Sequence, residues 1–376
     1  MPRVLRRLAA AFLTVLCLTG DITCQAAAPE ISAAAFVLMD AGSGRVLAAE
    51  HETEERGIAS TTKIMTCLVA LAHSGLDDAV TVRREHLREG SSMYLTEGET
   101  LTMEELLYGL MLPSGNDAAE CIADYCGGSG GSGGSAQFVA WMNETAAALG
   151  MTHTSFANPS GLDEEGHYSC ALDMARLAAH AMQDPTFMRI VSTRTARVGS
   201  RTMTNHNKLL DSYSGCIGGK TGYTGGAGRT LVTCAERDGS RLIAVTLCDG
   251  NDWADHAALY DYGFSAYRRA IGAKCGAQYG TVTVDGVSVP AVAADDLSYP
   301  LADGEALTTR AELPEALAAP VQKGQKLGEL AILCNGEEIG RVELICARTV
   351  QRQERPAESA AKTSSLAEKL WKLLSA

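Results

Sequence analysis

Apolar positions recur along this chain in two rhythms, and one gives way to the other near residue 272. Before that point, short apolar runs and helix-spaced stretches are mixed. Runs over 34–40 and 45–49 flank the turn residues Ala41, Gly42, Ser43 and Gly44 and predict a β-hairpin. Ile64, Leu68 and Leu71 fall at helical spacing and predict a helix over 60–73, ended by Gly75. Further helices are predicted over 103–111, stopped by Pro113, and over 117–125, 138–149 and 171–182. Strand-like runs over 230–235 and 241–247 flank Arg237, Asp238 and Gly239 and predict a hairpin. A closing helix is expected over 252–270.

After Gly272 the pattern becomes strand-like. Runs over 281–290 and 329–347 contain the tight-turn pairs Asp285-Gly286 and Asn335-Gly336. The expected organisation is therefore an α/β domain over 29–272 and a small β-rich domain over 273–350. The Gly/Ser run GGSGGSGGS over 127–135 cannot bury apolar surface. Helical pattern resumes beyond it, so it is expected to be a surface loop and not a domain boundary. Residues 351–376 read as a polar linker ending in a short amphipathic helix. There Leu366, Leu370, Leu373 and Leu374 share a face beside Trp371, with Lys369 and Lys372 toward the other side. At the other end, Arg3, Arg6 and Arg7, an apolar run over 8–18 and the small residues Ala26, Ala27 and Ala28 read as an export signal over 1–28. The protein is expected to work outside the cytoplasm.

Composition narrows the partners. A formal net charge of −13 with no basic cluster argues against nucleic acid. Of 12 cysteines, Cys17 and Cys24 fall in the export signal. The other ten sit in apolar segments of a long chain, so buried free thiols are expected, not a disulfide framework. No cysteine pair has zinc-finger spacing and no His-Glu-x-x-His occurs, so no metal and no cofactor is expected.

Three short motifs carry the candidate chemistry: Ser60-Thr61-Thr62-Lys63, Ser114-Gly115-Asn116 and Lys220-Thr221-Gly222. Each alone is weak, since Ser359-Ala360-Ala361-Lys362 in the polar tail also fits the first pattern. Together and in this order they are specific. Ser60 and Lys63 lie one helical turn apart and share a face. A serine hydroxyl needs a base to become a nucleophile. Lysine serves only when neutral, and burial together with a second cation, Lys220, would keep it so. Ser114 can relay a proton and Asn116 can orient Lys63. The backbone N–H groups of Ser60 and Tyr223 are the expected oxyanion-stabilising pair. Lys220 and Thr221, with Gly222 permitting close approach, suit a terminal carboxylate.

These motifs and their surroundings resemble the D-alanyl-D-alanine carboxypeptidases, the low-molecular-mass penicillin-binding proteins. Ala59-Ser60-Thr61-Thr62-Lys63-Ile64-Met65-Thr66 is similar to the family's nucleophile segment. Leu112-Pro113-Ser114-Gly115-Asn116-Asp117-Ala118-Ala119 is similar to its second motif, and Gly219-Lys220-Thr221-Gly222-Tyr223-Thr224 to its third. Asn158-Pro159-Ser160-Gly161-Leu162-Asp163 and His167-Tyr168-Ser169 resemble its middle loop.

The resemblance implies a DD-peptidase/β-lactamase-like antiparallel sheet flanked by helices. It also implies release of the terminal D-alanine from peptidoglycan stem peptides through an acyl-enzyme on Ser60, and covalent capture of β-lactam antibiotics. The terminal helix would lie on the membrane surface. One departure stands out. Some relatives carry an arginine near the substrate carboxylate in the loop after the hairpin, where this chain has none over 249–256. Carboxylate binding would then rest on Lys220 and Thr221, with His256 as a further candidate. The competing readings are a transpeptidase or endopeptidase with the same catalytic residues, a β-lactamase using Asp163, Glu164 or Glu165, and a non-catalytic muropeptide sensor.

Overall fold

The computed structural model describes residues 28–128 and 134–352. The export signal up to residue 27, the middle of the Gly/Ser loop, and the tail from 353 onward, with its amphipathic helix, lie outside the described residues. Strands β1 (Ala35–Asp40) and β2 (Val46–Glu50) form the expected hairpin. All six residues of β1 are buried, because β1 is an interior strand. Its neighbours come from far along the chain: β7 (Cys216–Thr224), β8 (Gly228–Arg237) and β9 (Ser240–Leu247) complete an antiparallel sheet in the order β2-β1-β9-β8-β7. The side-chain period of two then splits β1 between two cores. Ala35, Val37 and Met39 face the helices, while Phe36 and Leu38 face Leu259 and Tyr260 of α8 (Asp252–Ala266).

The helical layer is built around α1 (Lys63–His73), whose Ile64, Met65, Cys67, Val69 and Ala70 are buried. Around it lie α2 (Met103–Met111), α3 (Asn116–Cys126), α4 (Gly134–Ala148) and α5 (Ala171–Ala181), followed by α6 (Pro185–Ser192) and the single turn α7 (Leu209–Ser212). A capping box starts α2: Glu105 N–H donates to Thr102 Oγ1 at 3.2 Å and Thr102 N–H to Glu105 Oε2 at 2.9 Å. Two short antiparallel pairs accompany this layer, β3 (Ala79–Thr81) with β4 (Thr100–Thr102) and β5 (Thr195–Val198) with β6 (Arg201–Thr204). Helix α4 begins at Gly134, earlier than apolar periodicity indicates.

Helix α6 escaped the sequence pattern. It has eight residues, and its start is set by Asp184, which accepts from Thr186 and Phe187 N–H ahead of Pro185. The expected closing helix over 252–270 is also too long. It stops at Ala266, and β10 (Tyr267–Ala273) pairs instead with β13 (Leu297–Ala302). A tertiary partner overrides local helical pattern there.

The second domain holds β11 (Gln278–Val284), β12 (Val287–Ala293), β14 (Leu307–Glu312), β15 (Ala316–Leu317), β16 (Lys326–Cys334) and β17 (Glu337–Cys346), ordered β14-β16-β17-β12-β11-β15. Asp285-Gly286 and Asn335-Gly336 sit at its tight turns with positive φ at both residues, as two-residue hairpins require. Its core is its own, centred on Val284, Val289, Ile332 and Leu344. Arg45, in the turn before β2, clamps the domains together. Its guanidinium donates to Glu305 Oε1 and Oε2 and to Pro300 O, each at 2.7 Å, and lies 5.3 and 5.0 Å from the Tyr267 and Tyr299 ring centroids.

The ten described cysteines are all free. Their uniform burial does not hold: Cys248 and Cys275 are exposed and Cys126 and Cys216 half-buried, because two fall in turns and two at the rims of their elements. Among the described residues no helix is long and apolar enough to cross a membrane. Replacing Arg45 with alanine strips Glu305 and Pro300 of charge-assisted hydrogen bonds, and is expected to lower unfolding free energy by about 1–3 kcal/mol in chemical denaturation. Glu305→Gln, which keeps an acceptor, should cost less.

Candidate active site

The three motifs, which lie up to 160 residues apart, meet in one cleft. Ser60 sits on a 3-10 turn, Ala59–Thr62, that feeds directly into α1. Ala59 is held at φ +47°, a strained conformation for a residue with a Cβ. Ser114 likewise has φ +64°, in the turn between α2 and α3. Lys220 lies on β7, at the sheet edge, where the cleft is open. Gly222 is required by close approach: a Cβ there would come within 2.9 Å of the Ser60 backbone nitrogen and 2.3 Å of Thr230 Oγ1.

Lys63 is fully buried and has three partners, none of them a carboxylate. Its Nζ lies 2.8 Å from Asn116 Oδ1, 2.5 Å from the Ser160 carbonyl and 2.9 Å from Ser60 Oγ. Burial, and then the nearby charge of Lys220, push its pKa well down, against the pull of Asp117 and Glu120. A neutral amine has two hydrogens and one lone pair. Asn116 Oδ1 and the Ser160 carbonyl are acceptors only and take the hydrogens. The lone pair is left for the Ser60 hydroxyl, which is the alignment of a general base.

Asn116 is itself fixed, donating from Nδ2 to the Glu89 carbonyl at 2.9 Å. Next to it, Asp117 accepts from Ser92 Oγ and from Met93 and Leu95 N–H, holding the loop before β4 against the start of α3. Ser114 Oγ is buried and has no hydrogen-bond partner. Such groups are rare in folded proteins, and this one faces the cleft. Lys220 is also buried, and desolvation lowers its pKa to about 7. Its Nζ donates to the Thr221 carbonyl at 2.7 Å.

The cleft encloses about 310 Å³. Ser60, Ser114, Thr221, Gly222 and Tyr223 line it, so the two residues expected to supply the oxyanion donors, Ser60 and Tyr223, border the same space. Sequence reasoning missed Arg229, which also lines the cleft. It faces Tyr223 across the β7–β8 pair and is held bidentately by Asp252 at 2.8 Å. Lys208 and Trp253 stand beside it. The signal was the short 225–227 connection, which fixes the register and turns Arg229 back over the third motif.

His256 does not belong to the cleft. It is wholly buried between Thr233 and Thr246 hydroxyls, and burial lowers its pKa to about 3. The cations that line the cleft are Arg229 of β8 and Lys208, and neither comes from the stretch over 249–256. Nor do the acidic residues of the middle loop line the cleft. Asp163 accepts from Thr224 Oγ1 and Gly226 N–H, and Glu164 accepts from Asn158 Nδ2.

An antiparallel sheet flanked by helices, with a half-buried serine backed by a buried lysine at its edge, defines a serine acyl-transfer enzyme of the penicillin-binding type. Comparison with known proteins agrees. The family model described as D-alanyl-D-alanine carboxypeptidase matches residues 22–251, and that of the penicillin-binding protein 5 C-terminal domain matches 274–352. The chain therefore belongs to the D-alanyl-D-alanine carboxypeptidase family of serine peptidases. It is 32% identical to the D-alanyl-D-alanine carboxypeptidase DacF of Bacillus subtilis over 80% of this chain and 81% of that protein. It is 34% identical to DacC of Escherichia coli over 86% of each. Crystal structures of penicillin-binding protein 5 from Haemophilus influenzae align with TM-score 0.74 at 30% identity, covering 86% of this chain and 99% of that one.

Burying Lys220 with a lowered pKa has a thermodynamic consequence. Between pH 7 and 10 the unfolded chain binds a proton that the folded one has shed, so stability rises with pH across that window. Chemical denaturation at pH 7 and at pH 10 should show a smaller rise for Lys220→Met than for the unsubstituted protein.

Proposed function

We propose that this protein removes the terminal D-alanine from peptidoglycan stem peptides, with Ser60 as nucleophile and Lys63 as its base. The observation that carries this reading is the 2.9 Å contact between Lys63 Nζ and Ser60 Oγ, made by a lysine whose other partners can only accept. Ser60 attacks the carbonyl of the penultimate D-alanine as its proton passes to Lys63. The oxyanion is met by the Ser60 and Tyr223 backbone N–H groups. Ser114, whose hydroxyl is free, carries the proton to the leaving amine. Thr221, Lys220 and Arg229 receive the departing carboxylate, while Asn116 holds Lys63 in line. Water then frees the acyl group from Ser60. A β-lactam presents a similar carbonyl and carboxylate and acylates the same serine.

The location follows the same reading. Residues 1–28 act as an export signal, the enzyme works at the outer face of the cytoplasmic membrane, and the amphipathic segment 365–376 holds it to that surface. The support is the charge and apolar pattern of those segments together with a substrate that lies outside the cytoplasm.

Incubation with a peptide ending in D-Ala-D-Ala, following free D-alanine, tests the reaction. Ser60→Ala and Lys63→Met should each lower the rate by about 10³-fold or more and abolish labelling by a fluorescent penicillin. Release by Ser60→Ala at the unsubstituted rate would sink the assignment. Arg229→Leu should raise KM about tenfold or more, with a smaller change in kcat, as loss of a charge-assisted carboxylate contact predicts.

A further inference from the structure

His167 lies outside the cleft and touches none of the groups assigned above, yet it is buried and completes a closed chain of hydrogen bonds behind them. Its Nε2 lies 2.8 Å from Thr62 Oγ1, and its Nδ1 accepts from the Ala157 N–H at 3.1 Å. Thr62 Oγ1 donates its one hydrogen to the Ala59 carbonyl at 2.8 Å. That hydroxyl has no second hydrogen, so Nε2 must be the donor to it. The Ala157 N–H independently requires Nδ1 to be an acceptor. Both ends of the ring thus demand the same neutral tautomer, protonated at Nε2 only. Burial holds the imidazole's pKa down at about 4, with Glu164 and Asp163 opposing it.

The two segments that this ring joins are the ones that set the geometry of Ser60 and Lys63. On one side is the turn Ala59–Thr62, where the strained Ala59 precedes Ser60. On the other is the loop that starts at Ala157 and supplies the Ser160 carbonyl to Lys63. The loop is pressed onto the turn: Gly161 has φ +85°, and a Cβ there would lie 2.0 Å from the Ala59 carbonyl oxygen. Asn158 Oδ1 gathers the Ser160 and Gly161 N–H groups, and Thr66 Oγ1 donates to the Pro159 carbonyl. Within this framework, the imidazole is the side chain that ties the Ala59 carbonyl, through Thr62, to the start of the loop.

We propose that His167 is a positioning residue for acylation, a neutral imidazole strut that fixes the spacing between the Ser60 turn and the Ser160 carbonyl that aligns Lys63. The inference rests on the reading of Ser60 as nucleophile and Lys63 as base. Its kinetic signature is specific. A strut that does not touch substrate alters kcat and the acylation rate and leaves KM alone.

The test compares His167→Phe, His167→Gln and Thr62→Val with the unsubstituted protein, by D-alanine release and by the rate of fluorescent-penicillin labelling, with Ser60→Ala alongside. Phenylalanine keeps the ring and loses both hydrogen bonds, so kcat and labelling rate should fall tenfold or more, with KM within twofold. Glutamine restores a donor toward Thr62 and should recover most of the loss. Thr62→Val breaks the same chain with little change of shape and should give a loss like that of His167→Phe. The double variant should be no worse than the poorer single one. Wild-type labelling that vanishes in Ser60→Ala, with His167→Phe and Thr62→Val both labelled at the wild-type rate, overturns the role of His167 alone. So does a double variant whose losses multiply. Labelling that persists in Ser60→Ala overturns the nucleophile itself, and the proposal with it.

Discussion

The structure turns on a buried lysine that has no carboxylate to neutralise it. An ammonium taken out of water without a counter-ion is expensive, and the group answers by giving up its proton. At Lys63 this outweighs the more distant pull of Asp117 and Glu120. Helix α1 sinks it, Asn116 and Ser160 take its hydrogens, and Lys220 adds a repelling charge from the opposite strand. The fold bears that cost because a neutral amine facing a serine is the reactive arrangement.

Holding two lysines in one site without acid partners demands rigid surroundings. They come from backbone placed where side chains normally prevent it. Gly222 lets the edge strand approach the Ser60 nitrogen, and Gly161 lets the middle loop touch the Ala59 carbonyl. Ala59 and Ser114 both carry positive φ, so strain is stored on either side of the cleft. The surrounding helices and sheet over-determine these positions. The middle loop serves the site through its backbone, since its carboxylates are spent on Thr224, Gly226 and Asn158.

The second domain contributes no residue to the cleft lining. It is joined through β10, which leaves α8 and enters the β10–β13 pair, and by Arg45, whose charge is matched by Glu305 and whose faces are covered by two tyrosines.

The sequence by itself determined much of the local order. The first hairpin, helix α2 and the Asp285-Gly286 and Asn335-Gly336 turns are written in spacing and turn chemistry, which act over a few residues. The three motifs were legible because their residue types serve one chemistry, and a family resemblance tied them together. Tertiary structure alone decided the rest. It ended α8 at Ala266, because a strand partner outweighs helical pattern. It sent His256 into the core and brought Arg229 to the cleft, since strand register, not proximity along the chain, sets which side chain faces which space. It also gave the Ser160 carbonyl to Lys63 and His167 to Thr62. Those contacts join backbone and side chains 97 and 105 residues apart, where no periodicity reaches.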